Sequence, residues 1–124
     1  MTTPDDALTT RLEAASGLMR EAGALARDYF ERRAELAVEF KGAQDVVSAA
    51  DRAVEDRIRA RLADVFPADG VLGEEAGATG DAASLWVVDP IDGTQNFLRG
   101  LPYWAVVLAY VRDGVGEPGL TYAP

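Results

Sequence analysis

The run Leu85-Trp86-Val87-Val88-Asp89-Pro90-Ile91-Asp92-Gly93-Thr94 constrains this chain more than any other stretch. Leu85 to Val88 is apolar and reads as a strand. It delivers two carboxylates, Asp89 and Asp92, with Pro90 and Ile91 between them. Asp92-Gly93-Thr94 then reads as a turn that opens a short helix, which Leu98-Arg99-Gly100 ends. A strand that ends in acids and hands over to a helix start has two chemical uses. The acids can hold a hard cation through oxygen ligands. The free N–H groups at the helix start can hold a phosphate. Cation and phosphate side by side suit metal-assisted hydrolysis of a phosphate ester.

Composition narrows the chemistry further. With 124 residues the chain has the size of one small domain, and its apolar content of 48% can fill a core. Its 21 acids against 12 bases give a net charge of -9. That balance argues against a nucleic-acid backbone or an anionic membrane as partner. A phosphate must then be met by bound metal or backbone N–H groups rather than by a positive field. Cysteine and histidine are both absent. Disulfides, Cys/His zinc sites and Ser-His-Asp or Cys-His catalysis are therefore excluded within this chain. No apolar run approaches a membrane span. Met1-Thr2-Thr3-Pro4-Asp5-Asp6 lacks the basic-then-apolar plan of a signal peptide, so the expectation is a cytoplasmic protein.

Along the chain, Thr3 can cap a helix with Pro4 at its first position. Leu8, Leu12, Ala15, Met19, Ala22, Ala26, Tyr29 and Phe30 follow helical spacing, so the helix is expected to run to about Arg33 as plain scaffold. Ala37 to Lys41 is a short strand candidate, followed by a turn over 42–45. A second helix is expected to start within Asp45–Asp51 and to run to Phe66, where Pro67 ends it. Its buried face would be Val54, Ile58, Leu62, Val65 and Phe66. Ser48 and Asp51 read locally as a cap and a first-turn acid. Pro67 to Gly70 is a turn, Val71-Leu72 a short strand, and Gly73-Glu74-Glu75 follows it. Adjacent glutamates usually mean a solvated loop, yet Gly73 permits close backbone approach here. Ala76 to Ser84 reads as a flexible loop, too irregular for a Walker phosphate loop. Tyr103 to Val111 is a strong strand, Asp113-Gly114 a turn, and Gly119 to Pro124 the start of another strand.

Were Asp89 and Asp92 to converge, they would repel. Two unit charges about 4 Å apart interact by roughly 4 kcal/mol at an effective dielectric near 20. A divalent cation reverses that sign, and an all-oxygen set suits Mg²⁺ or Mn²⁺.

The run Asp89-Pro90-Ile91-Asp92-Gly93-Thr94-Gln95-Asn96-Phe97 resembles, without departure, the signature of the inositol monophosphatase family. Gly73-Glu74-Glu75 and Asp45-x-x-Ser48-x-x-Asp51 resemble two further motifs of that family, in the same order. The resemblance implies an α+β, layered αβαβα sugar-phosphatase fold. This chain would be its N-terminal helices plus part of the first antiparallel sheet. It also implies a Mg²⁺-dependent, lithium-sensitive phosphomonoesterase acting on a small phosphorylated substrate. Glu74, Asp89, the Ile91 carbonyl and Asp92 would be metal ligands. Glu74 and Thr94, the latter held by Asp51, would orient a metal-activated water for in-line attack. Gly93 and Thr94 N–H groups would bind the phosphate, with Glu75 and Lys41 one layer further out. Lys41 read alone is a solvated charge. Substrates across the family include inositol monophosphate, histidinol phosphate, fructose 1,6-bisphosphate and phosphoadenosine 3′-phosphate. The plain form of the motifs favours the first two branches. Homodimers are common in the family. The resemblance covers nearly all of residues 1–124 but only the N-terminal half of the family's domain. The family's later Trp-Asp pair, whose Asp completes one metal site, does not occur here. A second expectation is therefore an inactive half-domain that binds metal or pairs with another chain.

Overall fold

In a computed structural model the chain is described over residues 4–39, 42–74, 77–116 and 120–122. Helix α1 spans Pro4–Glu31. Ala15, Leu18, Met19, Ala22 and Ala26 form its buried stripe, at the three- and four-residue spacing of one helix face. Three of the five are alanines, which lets helix α3, Ala43–Val65, approach closely. Val47, Ala50, Val54, Ile58 and Leu62 are the facing stripe of α3. Val65, expected inside, is exposed.

Between them lies α2, Arg33–Glu39, where the sequence suggested a strand over 37–41. Arg-Ala-Glu-Leu-Ala-Val-Glu is rich in strong helix formers, and one Val-Glu-Phe window is too short to override them. Arg32 reaches Asp28 at 3.4 Å and Glu35 at 3.6 Å, reinforcing the join. Leu36 is the buried anchor of α2. Gly42, at φ 142°, turns the chain directly into α3, so the turn expected over 42–45 is mostly helix.

The strands are β1 Asp69–Gly73, β2 Gly77–Thr79, β3 Asp81–Asp92, β4 Ala105–Arg112, β5 Val115–Gly116 and β6 Leu120–Tyr122. Their order is β2-β1-β3-β4-β5, with β6 also on β4. The sheet is mixed rather than wholly antiparallel: β1 and β3 run parallel, and every other pairing is antiparallel. Most of the stretch 76–84, expected as a loop, is β2 and the beginning of β3. Its Ala, Gly, Thr and Ser carry no apolar alternation, so pairing with neighbours decides their conformation. Asp113 and Gly114 have φ of 53° and 78°, the left-handed pair expected of a two-residue hairpin turn.

Helices α1 and α3 cover one face of the sheet, where Trp86, Val88, Val106, Leu108 and Tyr110 are buried. The alternate positions Leu85, Val87, Val107, Ala109 and Val111 look the other way and are half-buried. Beneath the helices, Asp69 fastens α1 to the sheet. Its carboxylate accepts two hydrogen bonds from Arg11, both at 2.8 Å. Ser84 Oγ donates to it at 2.8 Å and Trp86 Nε1 at 3.0 Å. The Arg11 guanidinium also lies over the rings of Phe66 and Tyr110.

Candidate functional site

The acids of the central motif owe their placement to an irregularity in β3. Residues three apart on a regular strand face opposite sides of a sheet. The ladder to β4 pairs Asp89 with Val107 and Asp92 with Ala105, and its register shifts between them. Burial follows the shift: Trp86, Val88 and Pro90 are buried, and then Ile91 is as well. One extra residue in the strand is a bulge, which re-aims the side chains beyond it. Asp89 and Asp92 thereby share the side away from the helices. The Asp89 carboxyl is pushed above the usual carboxylate range, first by burial, then by the charges of Asp92 and Glu74. The Ile91 N–H, hydrogen-bonded to it, opposes that rise.

Glu74 comes from the parallel neighbour. Gly73 is the register partner of Val88, so the residues that follow them, Glu74 and Asp89, leave adjacent strands side by side. Glu74 is exposed in the turn after β1. Glu75 and Lys41 lie outside the described residues. Among the described residues, no three acids stand close enough to form a ready-made metal cage. The donor set nevertheless fits a hard cation. It is all oxygen, and the charges of Asp92 and Glu74 act on Asp89, a repulsion that a divalent charge would offset.

Gly93 sits at φ 92° and caps the short helix α4, Thr94–Leu98. A Cβ at Gly93 would come within 2.8 Å of the Tyr103 carbonyl oxygen, so no other residue fits without a backbone shift. Thr94 Oγ1 donates to the Ile91 carbonyl at 3.3 Å, tying the helix start back to the bulge. Asp51 is half-buried on α3, which contacts α4. The rest of the motif is anchorage. Asn96 donates to the Tyr103 carbonyl at 2.8 Å. Phe97 is buried against Phe30 and Trp104, with ring centroids 5.3 and 5.1 Å away. Beside Asp92 and Gly93, an open groove of about 370 Å³ is lined also by Pro102, Tyr103, Trp104 and Ala105.

Two residues near the site escaped the sequence reading, Glu55 and Arg59 of α3. The available signal was an acid inside an otherwise apolar helical stripe, with an arginine one turn later.

The arrangement of a mixed sheet carrying helices on one face is shared with solved inositol monophosphatases. The inositol monophosphatase of Anabaena (Nostoc) sp. PCC 7120 superposes with a TM-score of 0.78 at 30% identity, over 94% of this chain and 41% of that one. Residues 7–124 match the inositol monophosphatase family, and the chain belongs to it. Among curated relatives, a histidinol-phosphatase of Mycobacterium tuberculosis is 47% identical over 91 residues, covering 73% of this chain and 35% of the relative. An inositol-1-monophosphatase of Mesorhizobium japonicum is 44% identical over 108 residues, covering 86% of this chain and 40% of the relative. The chain thus spans less than half the length of these relatives.

Proposed function

We propose that this chain forms the cation- and phosphate-binding half of a Mg²⁺-dependent phosphomonoesterase that hydrolyses a small phosphorylated alcohol such as inositol monophosphate. The observation that carries the reading is the strand register, which sets Glu74 and Asp89 at neighbouring strand ends and Asp92 beyond a bulge, next to a glycine-capped helix start. Asp89, Asp92, Glu74 and the Ile91 carbonyl would hold the cation, with Mn²⁺ a workable substitute. Bound there, the cation supplies acidification of a water and neutralisation of the phosphate oxygens. Glu74 and the Thr94 hydroxyl orient the attacking water. Asp51 orients Thr94 from α3. Gly93 and Thr94 present N–H groups to the phosphate. The groove beside Asp92 gives the phosphate ester an approach from solvent. Lys41 and Glu75 act one layer further out. Histidinol phosphate is the alternative substrate, favoured by the relative of that activity. Fructose 1,6-bisphosphate and phosphoadenosine 3′-phosphate are further family substrates. The compartment in this reading is the cytoplasm; among the described residues no helix is long and apolar enough to cross a membrane.

The test is phosphate release from inositol monophosphate and histidinol phosphate by the chain with Mg²⁺, beside Asp89→Asn. Release that Asp89→Asn abolishes supports the site and selects the substrate. Equal release by both proteins rules out the proposed cation ligand.

A second reading is a half-domain that acts only when paired, whether with a copy of itself or with another chain. The apolar sheet face of Leu85, Val87, Val107, Ala109 and Val111 favours it, because such a face gains free energy when covered. Sedimentation tests it: self-association supports pairing with a copy, and a sharp cooperative melt at monomer mass counts against it.

A further inference from the structure

Glu55 is a carboxylate with no part in the site as described, yet it is fully buried on α3. Arg59, one helical turn on, donates to its Oε2 from Nε at 3.1 Å. The Glu55 carboxylate is packed against the backbone of Gly73, where an added Cβ would overlap it. Arg59 then reaches across to the β1–β2 hairpin. It donates to the Gly77 carbonyl, and at 3.2 Å to Thr79 Oγ1. Gly73 and Gly77 are cross-strand partners and the last pair before the loop that starts at Glu74. One buried ion pair therefore holds both feet of the loop that carries Glu74. A buried pair is a weak source of stability, because desolvation offsets most of its attraction. Its distinctive product here is a fixed geometry: Arg59 ties the Gly77 backbone and the Thr79 side chain, and Glu55 fixes Arg59 while packing on Gly73.

We infer that Glu55 and Arg59 are positioning residues, which act through the β1–β2 loop to aim Glu74 at the cation shared with Asp89. This rests on the cation site proposed above. Partners that orient metal ligands alter metal affinity when lost, whereas residues of purely structural value lower stability alone.

The test follows Mn²⁺ binding by paramagnetic resonance, with thermal melts in parallel, on the whole 124-residue chain and its variants. Arg59→Gln and Glu55→Gln are expected to weaken Mn²⁺ binding about tenfold. Arg59→Lys keeps a charge for Glu55 but lacks the two-pronged donor, and should fall between. Should Arg59→Gln fail to fold, Arg59→Lys carries the same comparison. Ile58→Val, in the core of the same helix, lowers the melting temperature and leaves Mn²⁺ affinity intact. Arg59 variants that bind Mn²⁺ as tightly as the unmutated chain would overturn the inference. So would an affinity loss in Ile58→Val matching theirs at equal loss of stability. Asp89→Asn separates the two levels: undiminished Mn²⁺ binding by that variant, or no saturable binding by the unmutated chain, removes the cation site itself.

Discussion

Asp69 on β1 and Asp89 on β3 are acids of one sheet in opposite environments. Burial pushes the Asp69 carboxyl up, but hydrogen bonds from Arg11, Ser84 and Trp86, with the Arg11 charge, outweigh it and hold the group below the usual range. Burial also pushes Asp89 up, and there Asp92 and Glu74 add to the rise. Asp69 is completed by three donor residues from two elements, α1 and β3, so its value lies in holding α1 against β1 and β3. Asp89 is set among other acids, an arrangement that burdens its charged form and that a positive charge would relieve. Strain kept at one acid and removed at the other distinguishes a site from a fastener.

The largest expected effect breaks the fastener. Asp69→Ala strands the Arg11 guanidinium and the Trp86 N–H beneath α1, and should cost about 3 kcal/mol in denaturant unfolding. A loss no larger than that of a surface ion pair, about 0.5 kcal/mol, would show that the network contributes little. The pH dependence has a definite sign. The folded pKa of Asp69 lies below its unfolded value, so its contribution is complete above the usual carboxylate range. It is lost as pH falls through that range toward the depressed folded value. Asp69→Asn should flatten this acid limb; an unchanged limb would assign the acid sensitivity elsewhere.

The next effect comes from the opposite acid. If Asp89, Asp92 and Glu74 receive a cation, Mg²⁺ at a hundredfold excess over its Kd should stabilise the chain by about 2.7 kcal/mol. Asp89→Asn should abolish that gain in a thermal melt. Equal Mg²⁺ stabilisation of both proteins would place the ion at another site. Gly93→Ala should cost about 2 kcal/mol, because alanine meets both a left-handed backbone and the Tyr103 carbonyl oxygen. An unchanged melting temperature would mean that the helix start of α4 relaxes freely.

The same contrast shows what the sequence could and could not reveal. The α1 and α3 stripes, the strand at Leu85–Val88 and the Asp113-Gly114 turn were legible because each rests on local periodicity or turn chemistry. The nearness of Glu74 and Asp89 was legible only through the resemblance, since strand register is a long-range property. The bulge at Pro90–Ile91 leaves no local mark beyond the proline. The strand expected over 37–41 misled in the other direction, since residues 37–39 end a helix that propensity favours, and 40 and 41 lie outside the described residues. The Asp69 network escaped because Arg11 is 58 residues away in sequence and looks like a surface charge.

The smallest effect sharpens the comparison most. In the absence of divalent ions, Asp89→Asn should stabilise the chain by about 0.5 kcal/mol, the scale of a solvent-screened charge pair. The folded pKa of Asp89 lies above its unfolded value, so the ionised acid is a burden at neutral pH. The burden lifts as pH falls through the raised value, because the folded state then takes up the proton first. The advantage of Asp89→Asn should therefore be present at neutral pH and shrink toward acid, the reverse of the trend expected for Asp69→Asn. Unfolding stabilities of the two variants should converge on that of the unmutated chain toward acid from opposite sides, Asp89→Asn from above and Asp69→Asn from below. Parallel curves would mean that Asp89 is balanced within the fold just as Asp69 is, and the electrostatic case for a cation there would fall.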